Sequence, residues 1–278
     1  MTVMTGREPA RVLRASIATE LSEFARPPAL TFVRCATHPA GAAYARQVSR
    51  GARRVGVPVA EELLDEASST AEAVGLVERL AVDDEVQGII VALPLPSSVN
   101  TAAVVAALPP KKDVDRITRA AIGAVLAGAS ELAPGVATAV VRLLEHYEIP
   151  LAGRRVAVVG RSRSVGKPVA LLMLARDATV TMCHSRTLDL ANVTSQADVL
   201  VTCAGRPGLI AREHVKPGAT VVDVGATYTA DGLKGDVDAE AVVEVASAFS
   251  PVPGGVGPLT VYCLLDNLLV LARAVQGE

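Results

Sequence analysis

The residues best suited to chemistry gather after Arg155-Val156-Ala157-Val158-Val159, an apolar β-branched run that stops at Gly160. Arg161-Ser162-Arg163-Ser164-Val165-Gly166-Lys167-Pro168 follows. Gly160 lets the chain turn sharply at a strand end, and Gly166 lets a new helix pack closely on the sheet. Backbone N–H groups at such a helix start can hold a pyrophosphate. Pro168 fits a first helical turn, where a missing N–H costs nothing. The spacing is not G-x-G-x-x-G, and alone it also describes an ordinary strand–turn–helix. The next β-branched run, Thr179–Cys183, sharpens the reading. It ends at His184-Ser185-Arg186-Thr187, where an acidic side chain would accept from an unmodified ribose hydroxyl. Ser185 and Arg186 stand there instead, with Arg161 available on the first loop. Hydroxyl plus guanidinium suits a ribose 2′-phosphate, because Arg donates a charged, forked pair of hydrogen bonds. The segment from about Val156 to Thr227 therefore reads as a Rossmann-like site for NADP(H), with NAD disfavoured.

Elements must exist to hold those loops. Ala29–Val33, Gly88–Leu93, Val156–Val159, Thr179–Met182, Val199–Cys203 and Val221–Val224 are short apolar or β-branched runs, as expected of strands buried on both faces of a parallel sheet. Ala-rich amphipathic stretches lie between them, at Ala40–Val55, Thr70–Ala81, Ala137–Tyr147 and Gly166–Ala175. Alternating β and α units imply an α/β fold with right-handed crossovers. The strands form two clusters, near residues 29–96 and 154–250, separated by 109–134. A last helix, about Thr260–Val275, follows Pro251-Val252-Pro253-Gly254-Gly255 and can return to the first cluster.

Bulk properties bound the function. The chain has 278 residues, is 50% apolar and carries a formal net charge of -2, enough for one large or two modest domains. No basic block points to nucleic acid. No signal peptide or run of membrane-spanning length stands out, so a soluble, cytoplasmic protein is expected. Cys35, Cys183, Cys203 and Cys263 are scattered, with no metal or redox spacing, and no metal site is expected. Trp is absent and Phe rare, so the core is built from Ala, Val and Leu.

A longer series now stands out: Gly160-Arg161-Ser162, Val165-Gly166-Lys167-Pro168, His184-Ser185-Arg186-Thr187, Ala204-Gly205-Arg206-Pro207-Gly208, Val222-Asp223-Val224-Gly225, and Pro251-Val252-Pro253-Gly254-Gly255-Val256-Gly257-Pro258-Leu259-Thr260. It resembles the bifunctional methylenetetrahydrofolate dehydrogenase/cyclohydrolase family. Thr5-Gly6-Arg7, Leu93-Pro94-Leu95-Pro96 and Lys112-Asp113-Val114-Asp115 extend the resemblance, more loosely, over nearly the whole chain. The resemblance implies two α/β domains flanking a cleft, the second a Rossmann-like NADP-binding domain, and a homodimer. Residues 1–135 plus 260–278 would form the substrate domain and 136–259 the cofactor domain. It assigns Gly160, Arg161, Ser162, Ser164, Val165, Gly166, Ser185, Arg186, Ala204, Gly205 and Thr260 to the cofactor. Pro253, Gly254, Gly255, Val256 and Gly257 would face substrate and nicotinamide.

The departures from that family lie on the substrate side. A Tyr followed four residues later by a catalytic Lys becomes Tyr44 and Val48. Arg46 and Arg50 are near, but helical spacing turns them off that face. A Gln before Leu-Pro-Leu-Pro becomes Ala92; a Ser before the Tyr becomes Gly41. Asp115 is kept, but the following Gly is Arg116; Pro-Cys-Thr-Pro becomes Pro134-Gly135-Val136-Ala137; Tyr262 and Cys263 replace small residues. Water activation and proton transfer need groups that Val48 and Ala92 lack, so cyclohydrolase activity is expected to be lost. Hydride transfer depends on holding cofactor and substrate in line, and that machinery is kept.

The resulting expectation is an NADP(H)-dependent oxidoreductase acting on a carbon bonded to nitrogen, an imine or iminium reductase on a non-folate small molecule. Asp115 and Tyr44 would be catalytic, with Asp115 steadying a cation and Tyr44 or Tyr262 giving a proton. Tyr44, Val48, Ala92, Asp115 and Tyr262 would line the substrate. Each also has a plain reading: Tyr44 and Tyr262 as packing, Asp115 as a turn cap or a partner of Arg116. His38 and Cys263 read as packing or surface. Two other functions stay open: a monofunctional methylenetetrahydrofolate dehydrogenase, and an inactive NADP-binding regulatory protein.

Overall fold

Helix caps and apolar periodicity explain most of the elements. The computed structural model describes residues 1–130 and 132–276. A short strand, β1 (Thr2–Val3), precedes α1 (Arg7–Leu21), which buries Ala10, Ile17 and Leu21 along one stripe. β2 (Leu30–Cys35) leads to α2 (Pro39–Arg53), which has Pro39 in its first turn and buries Gly41, Ala45, Val48 and Ala52. β3 (Val59–Leu64) precedes α3 (Thr70–Val82), where Ser69 and Glu72 form a reciprocal capping box. β4 (Gly88–Ala92) is followed by α4 (Thr101–Ala107), capped by Asn100, α5 (Arg119–Leu126), capped by Thr118, and α6 (Gly135–His146).

The second half alternates more tightly. β5 (Arg155–Val159), α7 (Gly166–Leu174), β6 (Thr179–Cys183), α8 (Leu190–Thr194) and β7 (Val199–Thr202) come first. β8 (Thr220–Asp223), the hairpin β9 (Thr227–Thr229) and β10 (Gly232–Lys234), α9 (Ala239–Val242) and β11 (Ala248–Ser250) follow, and α10 (Val256–Gln276) ends the series.

Two parallel sheets result. One has three strands in the order β3-β2-β4; the other has six, β1-β11-β8-β7-β5-β6. In the larger sheet β5, β7 and β8 are central and apolar, and their C-terminal ends carry the loops of interest. The chain forms two units. The first is Met1–Val12 with Val136–Thr260; the second is Leu13–Gly135 with the described residues from Val261 onward.

Besides elements that the sequence reading passes over, three features differ from its expectation. Residues 1–12, expected with 13–135, belong to the first unit, because Thr2 and Val3 add to the sheet edge beside Ala248 and Phe249. α10 begins at Val256, not Thr260, since Pro258 is tolerated in a first turn. Val256–Ala274 is also long and apolar enough to cross a membrane, contrary to the sequence reading; 72% of that window is buried inside the fold, which makes it a core helix.

Candidate active site

In the first unit, the C-terminal ends of β5, β6 and β7 open onto a cavity of about 380 Å³. Gly160, Arg161, Ser162, Ser185 and Ala204 line it, all expected from the sequence. Val159, His184, Thr187, Leu190, Cys203, Arg206 and Leu209 complete the wall. No lining residue is a carboxylate, and Arg161 and Arg206 supply positive charge, which fits a polyanionic ligand. Gly160 has φ +133°, and a Cβ there would lie 2.6 Å from the Cys203 carbonyl oxygen, so only glycine can occupy this turn. A Cβ on Gly166 would overlap the Gly160 carbonyl oxygen, which explains the second glycine.

The start of α7, where the sequence places the pyrophosphate, carries an acceptor of its own. The Ser162 hydroxyl already accepts from the Val165 and Gly166 N–H groups, both at 3.2 Å. Those two donors are satisfied within the loop, and Ser164, Val165 and Gly166 do not line the cavity. Arg186 and Gly205 also lie off the wall; Arg186 is exposed and its N–H donates to His184 Nδ1. Thr260 is buried in the first turns of α10, with its hydroxyl donating to the Val256 carbonyl. Burial pushes the Cys203 thiol up to about 12, with Asp236 adding to the effect, so this cysteine is no nucleophile.

The loop from Cys203 to Ile210 is held from beneath by Asp236, which is fully buried. Asp236 Oδ2 accepts from Thr202 Oγ1 at 3.0 Å, Ala204 N at 2.5 Å and Gly205 N at 3.2 Å, and Oδ1 accepts from Arg206 N at 2.6 Å. Asp223, also buried, accepts from the N–H groups of Gly225, Asp236 and Val237. Burial raises Asp223 to about 6, and those three N–H groups oppose the rise.

The Pro253–Gly257 turn is backed by the N-terminal segment of the same unit. Gly6 N–H donates to the Gly254 carbonyl, and a side chain on Gly6 would overlap the Gly255 carbonyl oxygen. Tyr147 in turn clamps Thr5, accepting from its N–H and donating to its carbonyl. Gly254 has φ +106°; Gly255 and Val256 are buried, while Pro253 and Gly257 are exposed.

The second unit carries the other candidates. Tyr44, on α2, donates its hydroxyl to Asp115 Oδ2 across 3.4 Å, and its ring meets Phe32 edge-on. Val48, one turn on, is fully buried, and Ala92 ends β4 with 2% exposure. Burial is the main reason that Asp115 rises to about 7; the nearby Asp113 charge adds, and the Tyr44 hydroxyl opposes. Tyr44 is pushed well above 10, first by burial and then by Asp115. Asp115 does not pair with Arg116: that buried guanidinium donates to the Pro110 carbonyl, at a residue with φ +56°. Asp113 caps the turn by accepting from Ile117 and Thr118 N–H. Asn267 of α10 fixes the same segment by donating to the Val114 and Ala133 carbonyls. Tyr262 is 6% exposed and packs toward Gly51 of α2. His38 Nδ1 is buried without a partner.

Residues 134–276 match the family described as Tetrahydrofolate dehydrogenase/cyclohydrolase, NAD(P)-binding domain, and residues 4–115 match its catalytic domain. The chain belongs to the tetrahydrofolate dehydrogenase/cyclohydrolase family. A relative in this family, the Bifunctional protein FolD 2 of Frankia casuarinae, is 43% identical over 99% of this chain and 97% of its own length. The bifunctional FolD enzyme of Campylobacter jejuni has a similar structure, with TM-score 0.94 at 32% identity, covering 99% of both chains. The Trypanosoma brucei methylenetetrahydrofolate dehydrogenase-cyclohydrolase, solved with NADP cofactor and inhibitor, matches with TM-score 0.94 at 31% identity over 100% of this chain and 99% of that one. Like its family, this chain is a two-domain α/β protein and an NADP-dependent oxidoreductase acting on a C–N centre. The carboxylate-free cavity on the first unit fits the cofactor.

Arg206 and Asp236 are not among the site residues expected from the sequence. Arg206 stands inside the Ala204–Gly208 motif, and its charge, which joins that of Arg161 on the cavity wall, is the signal that could have found it. Asp236 gives none, because its partners lie some 30 residues earlier.

Proposed function

We propose that this chain oxidises 5,10-methylenetetrahydrofolate with NADP and has no cyclohydrolase step. The supporting observation is a contrast. The NADP cavity keeps Gly160, Arg161, Ser162 and Ser185, and the Tyr44–Asp115 pair is kept, while Val48 and Ala92 are buried apolar side chains. When bound, the oxidised nicotinamide takes up a hydride. Arg161, Ser162 and Ser185 hold the phosphate-bearing portion. Removing a hydride from a methylene carbon bonded to two nitrogens leaves a cation. Asp115, poised near 7, supplies the compensating negative charge in its ionised form. Hydrolysis of that cation needs an activated water and a proton carrier. Neither Val48 nor Ala92 has a titratable group, so the reaction stops at the methenyl product.

The second reading is reduction of an imine or iminium on a non-folate molecule, favoured by apolar Val48 and Ala92 standing where the resemblance expects a Lys and a Gln. A cytoplasmic location, a homodimer, and the substrate on the second unit complete the proposal. The test is direct: supply NADP and methylenetetrahydrofolate and follow reduced cofactor, then measure methenyltetrahydrofolate hydrolysis separately. Cofactor reduction with hydrolysis no faster than buffer is expected. Rapid hydrolysis overturns the loss of cyclohydrolase. No reduction with folate, but NADPH consumption on cyclic imines, replaces the first reading with the second.

A further inference from the structure

We propose that Asp236 is a positioning residue for NADP: a buried carboxylate that never touches the cofactor but sets the wall against which it binds. The Cys203–Ile210 loop supplies Cys203, Ala204, Arg206 and Leu209 to the cavity. Asp236 ties both ends of that loop. Its side chain gathers Thr202 Oγ1 and three consecutive N–H groups, from Ala204 to Arg206, and its backbone carbonyl accepts from Ile210 N at 3.0 Å. No helix or strand ladder supplies an acceptor for those three N–H groups; the carboxylate does.

The arrangement is built in depth. Asp223, at the end of β8 beside Thr202 in register, accepts from Asp236 N and Val237 N and so fixes the segment that presents Asp236. The two carboxylates are seated against glycines: a Cβ on Gly225 would overlap Asp236, and one on Gly235 would overlap Asp223. Both glycines are therefore explained by room for the clasp.

An amide cannot replace this carboxylate. Both Asp236 oxygens act only as acceptors, three donors on one and one on the other. In Asp236→Asn one oxygen becomes an NH2 group that faces donors, whichever way the amide is turned. The loop must release at least one N–H and shift. The inference rests on the cofactor reading of the cavity and is independent of which substrate is reduced or oxidised.

The experiment compares NADP binding by calorimetry, and KM and kcat where turnover is found, for wild type, Asp236→Asn and Asp223→Asn. Asp198→Asn, which loses an ion pair to Lys216 at the opposite, N-terminal end of the strands, serves as control. Both clasp variants are expected to weaken NADP binding at least tenfold, with kcat within about twofold and the control unchanged. A merely structural role would lower the melting temperature while leaving the NADP dissociation constant within about twofold, and that overturns the proposal. Wild type that binds no NADP overturns the cofactor reading together with it. If Asp236→Asn does not fold, Thr202→Val removes one of the four side-chain bonds: an NADP KM raised threefold or more supports the clasp, and an unchanged KM overturns it.

Discussion

Asp115→Asn removes one charge and almost no volume, which isolates the electrostatic strain at this site. Asp115 moves from an ordinary 3.8 to about 7 in the folded protein, chiefly through burial. The folded state thus binds a proton that the unfolded chain has released between those two values. Stability falls as pH rises through that window and is level above about 7. At about 1.4 kcal/mol per pH unit, the ceiling on this cost is about 4 kcal/mol. Asp115 keeps some solvent contact, so about half, near 2 kcal/mol, is the expected cost at pH 8. The asparagine side chain carries no such cost and can still accept from Tyr44. The variant should therefore melt several degrees above wild type at pH 8, and the gap should close steadily toward pH 4. Scanning calorimetry across that range, with turnover measured alongside, gives the answer. Higher stability with lost activity marks a group held in strain for function. A gap that does not change with pH would refute the argument that burial strains this carboxylate.

Other variants test neighbouring steps. Tyr44→Phe removes the bond that lowers Asp115, so the inflection of kcat/KM with pH should move to higher pH; an unmoved inflection would detach Tyr44 from the titration. Gly166→Ala forces a methyl onto the Gly160 carbonyl, and should cost about 1–3 kcal/mol and abolish NADP binding, read by melting and calorimetry. Asn267→Leu removes the amide that donates to the Val114 and Ala133 carbonyls and should cost about 1–3 kcal/mol in chemical denaturation, with weakened turnover because Asp115 follows Val114.

The central strands are legible in the sequence because they are buried on both faces. β5, β7 and β8 read as short apolar or β-branched runs for that reason. β3 escapes for the opposite reason: it is the edge of its sheet, and Ala60, Glu61, Glu62 and Leu63 face solvent, leaving no apolar run to detect. α1 escapes because charges interrupt its single stripe of Ala10, Ile17 and Leu21. At the site, residues whose role depends on local backbone shape are readable, as with Gly160 and Gly166. Residues whose role depends on distant partners are not. Nothing near Asp236 in the chain announces the loop that it holds, and nothing near Thr260 shows that its hydroxyl is spent on Val256.

The two-piece construction of both units has a consequence during synthesis. The ribosome completes the first unit only after β11 and Thr260, and the second only after α10 emerges, with Leu264, Leu265, Leu268 and Leu269 all wholly buried. Until then the growing chain holds two unfinished cores, each missing its final piece, and neither half can be made safe by folding early. A messenger truncated shortly before codon 256 would therefore yield two exposed apolar surfaces on one polypeptide, not one intact domain with a frayed tail.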